Sequence, residues 1–515
     1  MKRSKKRSKV WSRIDLLILL IQLVCSVGFV YLVKDLLPNM YLAIVIAVLV
    51  VLFTGVGTIY AGLARKIRRK NKGKVANVIM WLFSLVFSAG LVYGGSVVYQ
   101  GLDTLEDVAN VTYQSHVMNV AVSKESSYQT IQDMQDKTIG IIEGMDDENI
   151  KKALDMIAEK EKVSLIKQSY ASMLDAYNAL VDGNIDGILI NEAYSMVVSE
   201  VIPNYSDNVR TLYQVEVVEE IVLDDEPEVT PTQEPDGEEP SVTPEAPVQN
   251  NVPRNPVVTK DTFNIFISGI DTYGSVSAVS RSDVNMIVTV NPTTKQILMT
   301  SIPRDYYVEL ASKGAYDKLT HAGIYGVKES INTLENLFGI QIDYYVKVNF
   351  TSLIKIVDAV GGITVSNPVA FETYAAKEYF PKGDISMDGE KALRYVRERY
   401  AFSDGDNMRV KNQQRVLTAL IKKMISPAII KNYNDVLDAV SGSFVTNMSS
   451  EEIQSLLQMQ LSDMSTWDFE QISVIGYDRS SSSCYSMPGY AVYVMKPDYD
   501  SVNAATEKIN AMYEN

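Results

Sequence analysis

Apolar residues in the first hundred positions form three long runs that polar residues barely interrupt. The runs cover residues 16–33, 40–64 and 75–98. About 20 consecutive apolar residues in a helix cross the hydrocarbon core of a bilayer, so each run predicts a transmembrane helix. A cleavable signal peptide is the alternative for the first run, but no small-residue cleavage site follows it and the other two runs would remain.

Lys and Arg are concentrated on one side of these runs. Residues 1–100 hold 15 Lys and Arg and 2 acidic residues, whereas the whole chain carries a net charge of −15. The basic clusters lie at 2–13 and 65–74. By the positive-inside rule, the sequence predicts a multi-pass membrane protein whose N-terminus is cytoplasmic and whose chain after Val98 is extracellular. We interpret the basic N-terminus as a topology signal or a contact with anionic lipid rather than as a nucleic-acid site.

The extracellular part begins with short strand-like and helix-like patterns that alternate between residues 117 and 203. This alternation predicts a small α/β domain, to which we assign residues 105–215, after the membrane segment 1–100. Its phrases 136–140 and 182–187 resemble one lobe of the periplasmic solute-binding proteins. Because a single lobe lacks the facing half that closes a ligand cleft, we expect a structural or partner-binding accessory domain. Residues 216–258 are acidic and rich in proline, which predicts an extended linker.

The remaining residues, 259–515, contain runs rich in Ile and Val that predict buried strands. These runs cover 263–270, 284–290 and 297–302. An apolar series from Ile324 to Leu337 predicts a helix that faces the core. The predicted fold class is therefore α/β, with a central mixed sheet covered by helices.

Charged residues of two kinds cluster at the ends of these predicted strands. They are Asp271, Arg281, Asp283, Arg304 and Asp305, followed a hundred residues later by Arg397, Arg399, Asp406 and Arg409. The rigid guanidinium fork suits phosphate oxygens, and paired carboxylates hold a hard divalent cation that keeps part of its water. The set indicates a metal-assisted pyrophosphate site. The alternative for any single pair is a surface ion pair at a strand end.

Other classes of catalytic site find little support in the composition. The chain has 2 histidines, His116 and His321, and 2 cysteines, of which Cys484 alone lies in the predicted extracellular part. These numbers exclude an intramolecular disulfide there and argue against a zinc site. The sequence contains no Gly-x-Ser-x-Gly motif for a serine nucleophile. We expect His321 to be a hydrogen-bonded structural residue.

An ordered series of motifs in residues 264–414 resembles the LytR-CpsA-Psr family. The motifs lie at 264–271, 281–283, 288–292, 301–305, 317–322, 344–350, 360–363, 395–399, 405–409 and 412–414. Three membrane helices followed by an extra domain further resemble the capsule-associated branch of that family. Many relatives have Phe-Gly where this chain has Asn407 and Met408, and the long acidic linker is less typical. Neither difference touches a charged position of the motifs.

The resemblance implies an extracytoplasmic ligase that moves a glycopolymer, capsular or teichoic-acid-like, from undecaprenyl pyrophosphate to peptidoglycan. It implies Mg²⁺ or Mn²⁺ held by Asp271 and Asp283. The residues implied to surround the pyrophosphate are Arg281, Arg304, Arg397, Arg399, Arg409 and Gln413. Those implied to carry the catalysis are Arg304, Asp305, Arg397, Arg399 and Asp406, with Asp406 orienting the arginines. The implied partners are the lipid-linked glycopolymer, peptidoglycan, the membrane and, as further candidates, capsule-assembly proteins.

The spacing of the last polar residues is compatible with these roles. Three of them share one face at the start of a predicted helix: Asp406, Arg409 and Gln413. The apolar positions Val410, Leu417 and Leu420 would face inward. A lipid tail would need an apolar tunnel between sheet and helices, and sequence alone does not separate tunnel lining from core.

Several choices stay open at this point. They are the identity of the glycopolymer, the acceptor hydroxyl, and the transfer of a glycosyl or a glycosyl-phosphate group. Two functions of other classes also stay open. One is hydrolysis of the polyprenyl pyrophosphate, and the other is a non-enzymatic sensor or assembly role at the cell envelope.

Overall fold

The structure of the chain is a computed structural model. It describes residues 2–34, 36–70, 74–109, 113–202, 204–221, 255–270, 275–402, 405–426, 436, 439 and 442–514. The chain forms two compact units. Unit 1 contains Met1–Ala109, Ile425–Ser441 and Ser449–Thr466, and unit 2 contains Asn110–Met424, Gly442–Met448 and Trp467–Asn515.

Helices and strands alternate through most of the described chain. The described α-helices are α1 (Lys2–Val33), α2 (Asn39–Lys70), α3 (Lys74–Val108), α4 (Asp147–Lys160), α5 (Met173–Val181), α6 (Glu192–Val201), α7 (Tyr205–Asn208), α8 (Leu319–Ala322), α9 (Val327–Phe338), α10 (Phe350–Ala359), α11 (Gly389–Arg397), α12 (Gly405–Met424), α13 (Ser450–Asp463) and α14 (Tyr499–Ala511). The described strands are β1 (Tyr113–Ser123), β2 (Thr138–Ile142), β3 (Ile166–Tyr170), β4 (Gly187–Asn191), β5 (Val209–Glu220), β6 (Phe263–Ile270), β7 (Ser282–Asn291), β8 (Gln296–Ile302), β9 (Tyr307–Leu310), β10 (Ala315–Lys318), β11 (Tyr344–Asn349), β12 (Ile363–Asn367), β13 (Phe371–Glu372), β14 (Tyr379–Phe380), β15 (Gly383–Met387), β16 (Phe444–Thr446), β17 (Asp468–Ser473), β18 (Gly476–Ser481) and β19 (Val492–Pro497).

Unit 1 contains the three apolar runs as α1, α2 and α3, so the three predicted helices are confirmed. Within them, Arg13–Val33, Asn39–Lys66 and Lys74–Thr104 are long and apolar enough to cross a membrane. Large apolar side chains such as Leu16 and Val86 are mostly exposed, which suits contact with lipid tails rather than with water. The three helices therefore have the length and the surface of membrane anchors.

Polar side chains buried between these helices bond to one another. Asn77 Nδ2 and Trp81 Nε1 donate to Oδ1 of Asp15, at 2.8 and 2.7 Å. The hydroxyls of Tyr60 and Ser84 are 3.1 Å apart. Such bonds between helices contribute to how a membrane bundle packs. The same unit includes α13, which contacts α3, although the sequence pattern assigned its residues to the range 259–515.

The first α/β domain of unit 2 is a five-stranded sheet in the order β3-β2-β4-β1-β5. Strands β2, β3 and β4 are parallel, whereas β1 runs antiparallel to both β4 and β5. The alternation of strands and helices that the pattern predicts between residues 117 and 203 is present. Strand β5 continues to Glu220, beyond the expected domain end at residue 215, because it pairs with β1 as far as Tyr113. Composition concealed this strand, since its acidic residues resemble those of the linker.

The second α/β domain is built on a six-stranded sheet in the order β16-β11-β6-β7-β8-β17. Strand β7 is antiparallel to both of its neighbours, β6 and β8, whereas β11 is parallel to β6 and β17 is parallel to β8. The predicted mixed sheet is confirmed. One face packs on α9 and α14 in a core that includes Phe266, Ile287, Ile331, Leu334 and Ile509. Helices α10, α11 and α12 lie on the side of the functional site.

The two α/β domains are joined by direct hydrogen bonds. The backbone of Ser115 in β1 bonds to Ser277 and Val279, at 3.1 and 2.8 Å. The backbone N–H of Val327, at the start of α9, donates to Oε1 of Gln114 at 3.1 Å. A cavity of about 360 Å³ lies between the end of β2 and the loop 483–490. The second α/β domain thus forms one wall of this cavity, and the lobe-like first domain forms the other. The sequence did not predict that the two domains would meet in this way.

Candidate functional site

A cavity of about 430 Å³ in unit 2 lies between the central sheet and helices α10, α11 and α12. Both polar or charged side chains and apolar side chains line it. The polar lining residues are Arg281, Asp283, Arg304, Asn349, Arg397, Arg399, Arg409 and Gln413. The apolar lining includes Ile267, Ile270, Val284, Met286, Val348, Phe350, Leu353, Val396, Val416, Leu417 and Leu420.

The pairing of β7 with β8 brings the first charged residues together. Asn285 pairs with Ile302, so the start of β7 and the end of β8 meet at one edge of the sheet. At this edge Arg304 Nη1 donates to Oδ1 of Asp283 at 2.9 Å. Thr320, at the start of α8, donates from Oγ1 to the same oxygen at 3.0 Å. Residues from three sequence motifs, 281–283, 301–305 and 317–322, therefore form one cluster.

Asp305 belongs to this cluster without lining the cavity. Its carboxylate lies 3.6 Å from Nε of Arg304 and 3.5 Å from Nζ of Lys318. All three side chains are largely buried, which strengthens the attraction between the charges relative to exposed pairs. Asp305 is therefore placed to orient Arg304 rather than to contact a molecule in the cavity.

The electrostatics of Asp283 reflect the surrounding arginines. Burial on its own would raise the pKa of the Asp283 carboxyl, because it disfavours the charged form. The positive charges of Arg304, Arg281 and Arg409 outweigh burial and hold the pKa below its ordinary value. Asp283 is consequently a carboxylate at neutral pH, and the arginines form a positively charged field around it.

Arginines from the end of α11 form the opposite wall. The Cζ of Arg397 lies 4.3 Å from the ring centroid of Phe350, and the Cζ of Arg399 lies 4.6 Å from that of Tyr400. Guanidinium groups stack on aromatic faces in this way while keeping their N–H groups available at the edge. Glu398, which is buried between them, accepts a 2.8 Å hydrogen bond from the backbone of Ala401. This bond fixes the turn that presents both arginines.

Helix α12 contributes polar and apolar lining from a single face. Arg409 and Gln413 line the cavity, and so do Leu417 and Leu420 further along the helix. The sequence predicts that Leu417 and Leu420 face inward, and both line this cavity between the sheet and the helices. Steps of four, four and three residues return to the same side of a helix, so polar and apolar positions succeed one another along one stripe. Val410 and Leu420 are both buried, as predicted.

The structure brings together seven of the residues that the sequence nominated. Arg281, Asp283, Arg304, Arg397, Arg399, Arg409 and Gln413 all line the one cavity. Asp406 stands in the first turn of α12, but its side chain lies outside the described part of the structure. Asp271 lies outside the described residues altogether; it follows Ile270, which pairs with Ser282.

The sequence pattern did not indicate a role for four residues near the cavity: Lys318, Thr320, Phe350 and Tyr400. The first two lie in the motif 317–322, and Phe350 ends the motif 344–350, so their motifs were visible although their contacts were not. His321 was predicted to be structural, and this is confirmed. It is 0% exposed, with Nδ1 2.8 Å from Asp317 and 2.9 Å from the hydroxyl of Ser486.

The donors in the cavity fit a hard divalent cation that keeps most of its water. Both hydrogen bonds that Asp283 accepts from the described residues go to Oδ1, which leaves Oδ2 for a ligand. Mg²⁺ in phosphate-binding sites is commonly held by one or two carboxylates together with the phosphate oxygens. Within the described residues there is no group of three or more His, Cys, Asp and Glu side chains that could hold a metal alone. The resemblance to the family implies Asp271 as the second protein carboxylate, and this residue lies outside the described part of the structure.

Comparison with known proteins decides the family. The sequence profile of the LytR_cpsA_psr family matches residues 232–513, more than half of the chain. The chain belongs to the LytR-CpsA-Psr family. All residues that line the cavity fall within this match.

Two relatives in this family carry the name polyisoprenyl-teichoic acid–peptidoglycan teichoic acid transferase TagU. The protein from Enterococcus faecalis is 38% identical over 200 residues, which are 38% of this chain and 65% of the relative. The protein from Bacillus cereus is 37% identical over 194 residues, which are 38% of this chain and 62% of the relative. The chain thus spans slightly less than two thirds of the length of these relatives.

The chain is also similar to a solved structure and to a second sequence profile. The crystal structure of TagV from B. subtilis is 30% identical, with a TM-score of 0.42, and the match covers 50% of this chain and 98% of that one. The profile of a DNA polymerase processivity factor matches residues 70–190. That range joins α3 to a part of the accessory sheet that excludes β5, and it contains no residue of the LytR-CpsA-Psr cavity.

Proposed function

We propose that this chain transfers a glycopolymer from a polyprenyl-pyrophosphate carrier to peptidoglycan on the outer side of the membrane. The observation that carries the proposal is a single cavity that is lined both by five arginines and by many apolar side chains. The names of the TagU relatives, which refer to a polyisoprenyl donor and a peptidoglycan acceptor, support it. Undecaprenyl pyrophosphate is the carrier that we infer, and a capsular or teichoic-acid-like polymer is the cargo.

The charged part suits the pyrophosphate. Among the described lining residues, five arginines face one carboxylate, Asp283. A pyrophosphate brings several negative charges, and the planar forks of arginine bind phosphate oxygens in pairs. We assign this role to Arg281, Arg304, Arg397, Arg399 and Arg409, with Gln413 as an uncharged donor. Their excess positive charge favours an anion over a neutral ligand.

The apolar part suits the first isoprene units of the carrier. Leu417 and Leu420 continue the stripe of α12 beyond Gln413, and Phe350 and Leu353 of α10 face the same space. A volume of about 430 Å³ is typical of sites for molecules of drug size. The cavity therefore accommodates the pyrophosphate end of the lipid, while the rest of the tail lies elsewhere.

Mg²⁺, or Mn²⁺ in its place, is the cofactor that we infer, held by Asp283 and Asp271. Such an ion would neutralise part of the pyrophosphate charge during transfer. Independently of it, the arginines hold the diphosphate in one orientation and stabilise the charge that develops on the leaving phosphate. Asp305 positions Arg304 and Lys318 through the contacts described above, and we assign to Asp406 a similar role toward the arginines of α12. No covalent nucleophile is required of the protein.

The location of the reaction follows from the membrane helices. With the basic clusters of the first hundred residues in the cytoplasm, both α/β domains lie outside the cell. A reporter enzyme fused after Gln100 should be active outside the cell, and one fused at Lys70 only inside. Cytoplasmic activity of the first fusion would overturn the proposed location.

An acceptor-dependence assay tests the proposed activity. The full-length protein in lipid nanodiscs would receive a labelled polyprenyl-pyrophosphate-linked glycopolymer, with or without soluble peptidoglycan oligomers. The proposal predicts that label moves to the oligomer and that little label is released without it. Equal release of label in the absence of acceptor would instead establish a pyrophosphate hydrolase. Binding of the lipid with no turnover in either condition would favour a non-enzymatic role.

A further inference from the structure

Two tyrosine rings lie side by side on the surface next to the cavity. The ring centroids of Tyr374 and Tyr400 are 5.4 Å apart, with an angle of 48° between the ring planes. Both side chains are strongly exposed, at 65% and 66%. We call this pair, together with Arg399 and Lys377, the tyrosine platform. Exposed aromatic rings that cluster in this way mark binding surfaces more often than isolated ones do.

The platform is held in place by a buried aromatic cluster. Strands β13 and β14 form a short hairpin in which Phe371 pairs with Phe380, and their rings stack at 5.0 Å. Tyr395 and Phe402 pack on Phe371 at 5.5 and 4.6 Å. The hairpin that carries Tyr374 is therefore anchored to the same segment that carries Tyr400. Such anchoring lowers the entropy lost when the exposed rings bind a ligand.

A single carboxylate joins the two halves of the platform. Glu398 is buried, and its two oxygens accept 2.8 Å hydrogen bonds from the backbone N–H groups of Tyr374 and Ala401. The same residue stands between the arginines at 397 and 399 of the proposed pyrophosphate site. The spacing of the two rings is thus fixed relative to these arginines by one side chain.

The platform is continuous with the charged part of the cavity. Arg399 and Tyr400 both line the cavity, and the guanidinium of Arg399 lies over the Tyr400 ring. At the other end, Nζ of Lys377 lies 5.0 Å from the ring centroid of Tyr374. A strip of aromatic faces edged by cations therefore runs outward from the place assigned to the pyrophosphate.

We propose that the tyrosine platform binds the glycan chain of the acceptor, one or two sugar rings from the hydroxyl that receives the polymer. The inference rests on the proposed transferase function, which requires a second substrate beside the pyrophosphate. A pyranose ring has an apolar face of C–H groups and a rim of hydroxyls, which matches a tyrosine face bordered by hydrogen-bonding groups. A chain lying on Tyr374 and Tyr400 would present its next sugar at Arg399.

A membrane surface is the other occupant that exposed tyrosines and a lysine could suit. The composition of the hairpin argues against it. Its exposed residues include Glu372, and none of its exposed residues is a large aliphatic, phenylalanine or tryptophan side chain that would insert into lipid. A carboxylate at this place would also be repelled by anionic headgroups. The sugar chain is the occupant that the hairpin fits better.

Steady-state transfer kinetics on the full-length protein in nanodiscs test the platform. The variant is Tyr374→Ala, because Tyr374 is not a lining residue of the cavity, and the probe acceptor is a soluble peptidoglycan oligomer. The KM for this oligomer should rise about tenfold, the effect of losing one well-placed aromatic contact. The KM for the lipid donor and the kcat should stay within about twofold. Tyr374→Trp should restore the acceptor KM, because it restores an aromatic face.

Tyr477→Ala is the matched control. Tyr477 on β18 is also exposed, at 59%, and is not a lining residue of the cavity. Thermal melting of each variant excludes loss of the hairpin as a cause. An acceptor KM that is unchanged in Tyr374→Ala, or changed equally in Tyr477→Ala, would overturn the proposal. So would weaker binding of Tyr374→Ala to anionic vesicles with an unaltered acceptor KM, which would assign the platform to the membrane.

Direct binding separates this inference from the proposed function. Calorimetry with the peptidoglycan oligomer alone needs no catalysis, so it reports on the platform even if transfer is not observed. Weaker oligomer binding by Tyr374→Ala, alongside wild-type protein that binds lipid but does not turn over, would support the platform and contradict the transferase. Equal oligomer binding by both proteins, alongside normal transfer, would contradict the platform alone.

Discussion

Asp283, near the start of β7, and Arg304, just beyond the end of the antiparallel neighbour β8, form a 2.9 Å ion pair. The pair places one carboxylate at the centre of the arginine-rich lining and gives Arg304 a fixed position beside it. Asp305 and Thr320 support the pair from either side. The pair therefore links the candidate metal ligand to the candidate pyrophosphate clamp, and each residue is expected to depend on the other.

A double-mutant cycle tests this dependence. Asp283→Asn and Arg304→Gln should each lower the free energy of unfolding by about 1 to 3 kcal/mol, because each leaves its partner buried without the opposite charge. The double variant should lose less than the sum, with a coupling energy of about 1 kcal/mol or more. Chemical denaturation of the full-length protein in micelles measures these values. Strictly additive losses would show that the pair is not a unit.

Arg397 provides a test of guanidinium geometry with a neighbour as control. Arg397→Lys keeps the charge but loses the planar fork, so binding of the lipid pyrophosphate should weaken by about 2 kcal/mol or more. Arg394→Lys, on the same helix, alters an exposed pair with Glu378 and should change affinity by less than about 0.5 kcal/mol. Affinity and melting temperature would be measured on both variants. Equal affinity losses, or a loss of stability without a loss of affinity, would return Arg397 to an ordinary structural role.

A substitution at Leu417 tests whether this side chain lines the binding cavity or only packs in the core. Leu417→Ala removes apolar surface from the wall of the cavity, so the affinity for a long-chain polyprenyl pyrophosphate should fall about fivefold or more. The affinity for inorganic pyrophosphate, which has no tail, should not change. Lys411→Ala on the exposed side of α12 is the control. A drop in the affinity for inorganic pyrophosphate would contradict the division of the cavity into two parts.

Lys347 predicts a pH dependence of stability. Its side chain is buried in β11 and donates to the carbonyl of Ala278 at 2.6 Å, and burial lowers its pKa to about 7. Between about pH 7 and the ordinary lysine pKa near 10.4, the unfolded chain binds the proton and the folded chain does not, so stability rises with pH. The wild type should therefore gain about 1 kcal/mol per pH unit between pH 7.5 and 8.5 relative to Lys347→Met. A difference that does not vary with pH would show that Lys347 stays charged when folded.

Local patterns in the sequence predicted much of this fold. The strand of residues 263–270 is rich in Ile and Phe because both faces of the central sheet are covered, and its bounds are observed as predicted. The three long apolar runs can likewise be recognised in the sequence, because a membrane helix forms all of its backbone hydrogen bonds within one continuous segment. Strand β5 was not predicted, and the expected domain end at residue 215 falls inside it, since the strand forms only through pairing with β1, which lies far away in the sequence.

The candidate site shows the same difference between features that local sequence predicts and features that depend on long-range packing. Its arginines could be named because charge at strand ends and the order of the motifs are properties of the sequence. The place of Leu417 on the cavity wall, and that of Lys318 beside Asp305, could not be named, because they depend on which elements pack together. The tyrosine platform depends even more on packing between distant parts of the chain. Tyr374 and Tyr400 come from different elements, and only Glu398 and the aromatic cluster below bring their rings together.

Native mass spectrometry of the full-length protein released from membranes tests the central claim most directly, that the arginine-lined cavity binds the pyrophosphate of a polyprenyl carrier. The account predicts one bound lipid per chain whose mass corresponds to a polyprenyl phosphate or pyrophosphate, with or without sugar. Arg304→Gln should lose most of this lipid, whereas Arg394→Lys should keep it. Absence of such a lipid from the wild type after loading with polyprenyl pyrophosphate, or equal occupancy in Arg304→Gln, would contradict the account.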